Sequence, residues 1–131
     1  MEVAERNLFP KSERLFLKKD IDELFDKGRS FISYPLRIVY LSDTGDNLPE
    51  SGISVLISVP KKRIKRAVKR NRIKRLIRET FRLNKSVVTE CMQEDKHLHV
   101  AFMYVSNDIL PYADIEKAMI KALRNIHSRG L

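Results

Sequence analysis

The residues of this chain with the clearest chemical capacity are cations. Twelve of them (Lys61, Lys62, Arg63, Lys65, Arg66, Lys69, Arg70, Arg72, Lys74, Arg75, Arg78 and Arg82) stand against a single acid, Glu79, between positions 61 and 82. That segment carries +11 in a chain whose formal total is +9, so the remainder is slightly acidic, at −2. Neighbouring like charges on a helix repel by roughly a few tenths of a kcal/mol per pair, and one glutamate relieves only part of that. A nucleic-acid backbone supplies a negative charge every few ångströms, and arginine offers a planar fork that suits phosphate oxygens and stacks on bases. The pattern therefore implies a polyanionic partner, RNA or DNA.

Helical geometry turns this composition into a surface. At about 100° per residue from Ala67 onward, Ile73, Leu76, Ile77, Thr80 and Phe81 gather on one side. Asn71, Arg75, Arg78 and Arg82 gather at spacings of four, three and four on the other, flanked by Arg72 and Lys74. The expected object is a cationic ridge above an apolar keel. A solvated helix face normally mixes both signs of charge, which this one does not. A basic amphipathic helix also suits an anionic membrane or an acidic protein, but the apolar side here is moderate and is needed to complete a small core.

Other chemistry is poorly provided for. A protein nuclease site requires carboxylates clustered for a metal, or an acid and a base held within reach of each other, and no such motif appears. Asp20, Asp22, Glu23 and Asp26 crowd one short helix, where acids answer the helix dipole and face water. His97 and His99 share a strand face, but with His127 distant and Cys91 alone they make no zinc pattern and read as structural or exposed. The four glycines, at 28, 45, 52 and 130, form no phosphate-cradling loop.

The elements that must position the ridge follow from the hydrophobic pattern. In 131 residues, 43% of them hydrophobic, one compact domain is expected over 14–131, behind a flexible arm at 1–13. Asp20 to Gly28 has an N-cap candidate, apolar Ile21, Leu24 and Phe25, and a glycine stop, which predicts a short helix. Phe31 to Leu41 predicts a strand with Pro35 at an edge or irregular start. The turn formers of Ser42 to Ser51 and the apolar run to Val59 then suggest a hairpin. After the basic helix come a strand at Leu98 to Val105 and a helix from Tyr112 carrying Ile115, Ala118, Met119, Ala122, Leu123 and Ile126 at helical spacing. The order α-β-β-α-β-α predicts a small α+β sandwich. A lone cysteine, a start without a signal-like apolar run and no stretch near the roughly 20 apolar residues of a membrane span together suggest a cytoplasmic setting.

From Arg70 to Arg82 the run Arg-Asn-Arg-Ile-Lys-Arg-Leu-Ile-Arg-Glu-Thr-Phe-Arg resembles the RNR motif of the bacterial ribonuclease P protein family. The approach through Ile57-Ser58-Val59-Pro60-Lys61-Lys62 and Ala67-Val68 is similar to it as well. Upstream, Arg14-Leu15, Leu24-Phe25 and Gly28 fall where that family has its first helix, so the resemblance spans roughly residues 12–128. It implies a sandwich whose basic helix sits in a left-handed βαβ crossover, contrary to the usual hand. It also implies an assisting role, in which a ribonuclease P RNA carries out Mg²⁺-dependent removal of the 5′ leader of precursor tRNA and the protein supplies no catalytic residue, metal site or small-molecule site.

On that resemblance Arg66, Arg70, Asn71, Arg72, Lys74, Arg75, Arg78 and Arg82 contact the RNA, and Lys61 and Lys62 lie toward the substrate. A cleft between the first helix and the sheet holds the leader, with Phe25 and Tyr34 stacking on bases and Arg37 meeting a phosphate. Phe25, on the apolar face of its helix, equally suits a core position. Two departures stand out: Ile21 replaces an expected second cleft aromatic, and the turn from Lys62 to Arg66 contains no glycine. A basic module on ribosomal RNA or DNA is the alternative to this reading.

Overall fold

A computed structural model describes residues 18–43, 53–89 and 97–128. Helix α1 (Lys18–Lys27) leads into β1 (Arg29–Ser33) and β2 (Leu36–Asp43). Strand β3 (Ile53–Ser58) is followed by the long α2 (Ala67–Asn84) and a single turn, α3 (Ser86–Thr89). Strand β4 (His97–Tyr104) and α4 (Tyr112–Ser128) complete the described chain. The expected arm at 1–13, Cys91 and Gly130 lie outside the described residues.

The strands form one mixed sheet in the order β1-β2-β4-β3. β2 runs antiparallel to both β1 and β4, and β3 runs parallel to β4, so α2 lies in a βαβ crossover between adjacent parallel strands. Period-two alternation divides the side chains between two faces. On one face Leu36, Ile38, Val55, Leu98, Val100 and Phe102 pack against the keels of α2 and α4. On the other, Val39 and Ala101 receive Leu24 of α1. The α+β sandwich is thus two helices on one face and one on the other.

Two expectations from the sequence are corrected. The apolar run from Phe31 to Leu41 is two strands, because Pro35 has no N–H to give a ladder and the chain reverses at Tyr34-Pro35, whose peptide bond is cis. The hairpin is therefore β1–β2, and β2 and β3 are not neighbours: β4 separates them. β4 is buried along nearly its whole length on both faces, as an interior strand of the sheet must be. His97 and His99 are buried on the α1 face of the sheet, with ring centroids 4.6 Å apart and 2.7 Å between His97 Nε2 and Ser54 Oγ, which places them in the framework.

The end of the sheet beside the β1–β2 turn is tied down by polar contacts. Val105 N–H donates to the Pro35 carbonyl at 2.9 Å, and Ser33 Oγ–H to the Ala118 carbonyl at 2.9 Å. The Tyr104 hydroxyl accepts from Leu110 N–H at 3.1 Å and donates to the Asp108 carbonyl, and burial holds its pKa above the ordinary phenol value.

α1 ends where Gly28 N–H donates to the Leu24 carbonyl at 2.8 Å. A Cβ at position 28 would collide with that same carbonyl oxygen and stand 3.0 Å from the Tyr40 carbonyl, so both the end of α1 and its close approach to β2 require glycine. Gly28→Ala is expected to destabilise the protein by about 1–3 kcal/mol through this overpacking, read as a lowered urea midpoint at unchanged slope.

Candidate RNA interface

The cationic segment begins with a turn built without glycine. Arg63 and Ile64 N–H groups donate to the Pro60 carbonyl at 3.0 and 3.2 Å, and Ile64 is buried in the core. Arg66 stands extended at the N-cap of α2 with no side-chain cap, and the first turn contains no acid. The clamp comes from Arg70, whose guanidinium donates to the carbonyls of Ile64 at 3.0 Å and Lys65 at 2.7 Å. α2 thus supplies no acid of its own to its positive end, which adds to the field of the cations around it.

Ile73, Ile77, Thr80 and Phe81 are buried, and Leu76 is half-buried at the edge of the keel. Asn71, Arg72, Arg75 and Arg78 are exposed on the opposite side, with Lys74 half-buried beside them. The ridge is thus assembled as the spacing predicts, with two qualifications. Arg70 is half-buried and spends donors on its own turn. Arg82 is half-buried and paired with both oxygens of Glu79, with Nε 3.2 Å from Oε2, so its charge is largely answered within the protein. Lys61, Lys62 and Arg66 are exposed at the end of β3 and the start of α2.

Two features of this surface had no signal in the charge pattern. Val68 is 81% exposed within the ridge, an apolar spot suited to a ribose or base face. Arg63, Lys65, Arg66 and Lys69 surround a cavity of about 390 Å³ closed by Asn107 and Asp108, where Arg63 Nη1 donates to Asn107 Oδ1 at 3.4 Å. A helical pattern cannot foresee this cavity, because Asn107, Asp108 and Ile109 of its wall come from the loop after β4.

The residues expected in a cleft are divided by the structure. Phe25 is 45% exposed and so is no core residue. Arg37 is exposed on β2 and shares the α1 face of the sheet with Val39, where Leu24 docks, so Phe25 and Arg37 stand on the same side. Beside Arg37 in register are Ile32, 67% exposed, and Met103. Ile32 could be placed there only once the hairpin was known. Tyr34 sits instead in the β1–β2 turn and lines a cavity against α4. Among the described residues no three His, Cys, Asp or Glu side chains are grouped so as to hold a metal ion.

The chain matches the family model described as Ribonuclease P over residues 9–127. It is 45% identical to the ribonuclease P protein component of Porphyromonas gingivalis over 117 residues, covering 88% of this chain and 84% of that one. It is 33% identical to the corresponding protein of Chlorobaculum tepidum, covering 95% and 86%. The fold is similar to that of the Staphylococcus aureus RNase P protein, with a TM-score of 0.63 at 25% identity over 89% of this chain and 96% of that one. The RNase P protein from Thermotoga maritima shows the same fold, with a TM-score of 0.67 at 22% identity over 86% and 96%.

The geometry separates arginines that hold the turn from arginines that face outward. Arg70→Ala should cost about 2 kcal/mol of stability through two lost charge-assisted hydrogen bonds, seen by thermal or urea unfolding. Arg72→Ala and Arg75→Ala should leave stability within about 0.5 kcal/mol. Each should instead weaken binding to a structured RNA and lower the slope of log affinity against log salt by about one.

Proposed function

The chain belongs to the ribonuclease P protein family, and from that premise we propose that it is the RNA-binding subunit of a ribonuclease P that removes the 5′ leader of precursor tRNA in the cytoplasm. The observation that carries the reading is the outward row of Asn71, Arg72, Arg75 and Arg78 on a helix whose other side is buried. The guanidinium groups of that row pair with phosphates of the catalytic RNA, releasing condensed counterions and lowering the repulsion that resists compaction of the RNA. Mg²⁺ held by the RNA supplies the electrostatic stabilisation of phosphodiester hydrolysis. The protein's own residues bind and orient: Lys61 and Lys62 extend the positive surface past the end of β3, toward the substrate. The crossover of α2 is of the left-handed kind on this reading.

Phe25 and Arg37 suit the single-stranded leader. A half-exposed aromatic ring stacks on bases with little regard to sequence, and an exposed guanidinium on the same side meets the backbone. Ile21 is half-buried against the small core under α1, so it supports the helix and offers no second ring. Stacking in this cleft falls mainly to Phe25.

Reconstitution tests the reading. The purified chain, mixed with a bacterial ribonuclease P RNA at low Mg²⁺, should stimulate leader removal, and absence of stimulation across a range of salt and Mg²⁺ would reject it. Phe25→Ala should weaken use of leader-bearing precursor by roughly 1–3 kcal/mol, the worth of one stacked base, and leave binding of mature tRNA unchanged. Equal loss with both would remove Phe25 from the leader's path.

A further inference from the structure

A second surface with the makings of a nucleotide site lies away from the ridge and from the α1 face. A cavity of about 410 Å³ opens between the β1–β2 turn and α4, within the range of about 300–1,000 Å³ usual for small-ligand sites. One wall is Tyr34, 62% exposed, next to Pro35 in the turn. The other is the outer side of α4, where Lys117 and Lys121 stand one turn apart, both exposed, and Arg124 continues their stripe three residues on. Asp114 is the one acid among the lining residues, and Leu110 adds an apolar patch.

This surface does not merely prolong the ridge. Tyr112 and Glu116 hydrogen-bond on the flank of α4 that meets α2, where Tyr112 also feels Glu79 and Arg82. The acids therefore collect at the seam between the two helices and separate two cationic surfaces. The walls of the cavity are also fixed in relation to each other. The Ser33 Oγ bond to the Ala118 carbonyl pins the turn to α4, and the Tyr104 hydroxyl holds the backbone at Leu110.

An accessible ring, two ammonium groups one helical turn apart and one carboxylate make an arrangement suited to a base with its flanking phosphates. We infer that this cavity binds one nucleotide of single-stranded RNA, with the Tyr34 ring stacked on the base, Lys117 and Lys121 on the adjacent phosphates, and Asp114 accepting from an exocyclic amine. The inference deepens the reading of the chain as a ribonuclease P subunit. It takes Tyr34 out of the Phe25 cleft and gives it a separate role beside α4. The strand that supplies the nucleotide is either the precursor leader or a single-stranded segment of the catalytic RNA.

The test uses the full chain with a short 4-thiouridine-containing oligoribonucleotide, followed by anisotropy and by photocrosslinking. A crosslink at Tyr34 is expected, persisting in the Arg72→Ala/Arg75→Ala double variant and lost in Lys117→Ala/Lys121→Ala. The lysine variant leaves the turn untouched and should lower the salt slope for this strand by about 1.4, twice the single-strand value per phosphate contact. Tyr34→Ala should weaken binding about tenfold and Tyr34→Phe hardly at all. In the reconstituted particle, a Tyr34→Ala defect seen only with leader-bearing precursor assigns the nucleotide to the leader, and one seen with mature tRNA as well assigns it to the catalytic RNA. No crosslink at Tyr34, or an unchanged slope in the lysine variant, overturns the inference even where leader removal is stimulated normally. A crosslink and slope change without such stimulation would uphold the site and reject the ribonuclease P reading.

Discussion

The contact on which the rest depends is the docking of α2 on the sheet through Phe81 and Phe102, whose rings meet at 5.7 Å between centroids with their planes 52° apart. Ile73 and Ile77 are fully buried alongside, so the rotation of the helix about its axis is fixed at several points. A slip of one residue would turn the helix by about 100° and drive Lys74 or Arg78 toward the core, where an unpaired charge costs several kcal/mol. The interior therefore selects which side chains face outward. An RNA surface made of cations is held in register by a set of contacts that contain none.

That constraint sorts cations of equal formal charge into unequal roles. Arg70 bonds backward to the carbonyls of Ile64 and Lys65 and so clamps the turn that leads into α2. Arg82 pairs with Glu79 near Tyr112, so the ridge fades toward the C-terminal end of α2. Arg72, Arg75 and Arg78 keep their forks in solvent and hold the ridge's free binding capacity. A count of positive charges would treat all of these alike. Their partners show that part of the basic composition maintains the fold that displays the remainder.

What was legible in the sequence was local. The ridge and keel of α2, the apolar stripe of α4 and the glycine stop of α1 follow from periods and punctuation within one segment, and they reappear in the structure with bounds shifted by little. What escaped was relational. Whether Pro35 marks the edge of one strand or the reversal between two depends on which segment pairs with which, and that is set by the suitability of β4 for the centre of the sheet. Arg70's clamp needs the shape of the preceding turn. Tyr34's surroundings need α4, more than eighty residues away, as the Ser33 to Ala118 hydrogen bond shows.

The sheet topology explains why these relations converge. β3 and β4 are parallel, so Ser58 and Met103 stand side by side, while Leu36 opposes Tyr104 at the start of β2. The β1–β2 turn, the cationic turn after β3 and the loop after β4 therefore all emerge at one end of the sheet. The same loop lends Asn107 and Asp108 to the cavity beside Arg63 and Leu110 to the cavity beside Tyr34, and Tyr104 and Ser106 hold it by bonds to its backbone. Binding to a flexible strand already carries the cost of ordering that strand, and a protein loop that must also be ordered would add to it. Here the ordering is done by the fold, through the buried phenol of Tyr104 at the end of the interior strand β4. The polar contacts at the rim and the apolar docking of α2 thus act together: one orients the ridge, and the other sets its flanking pockets at fixed positions along the same edge.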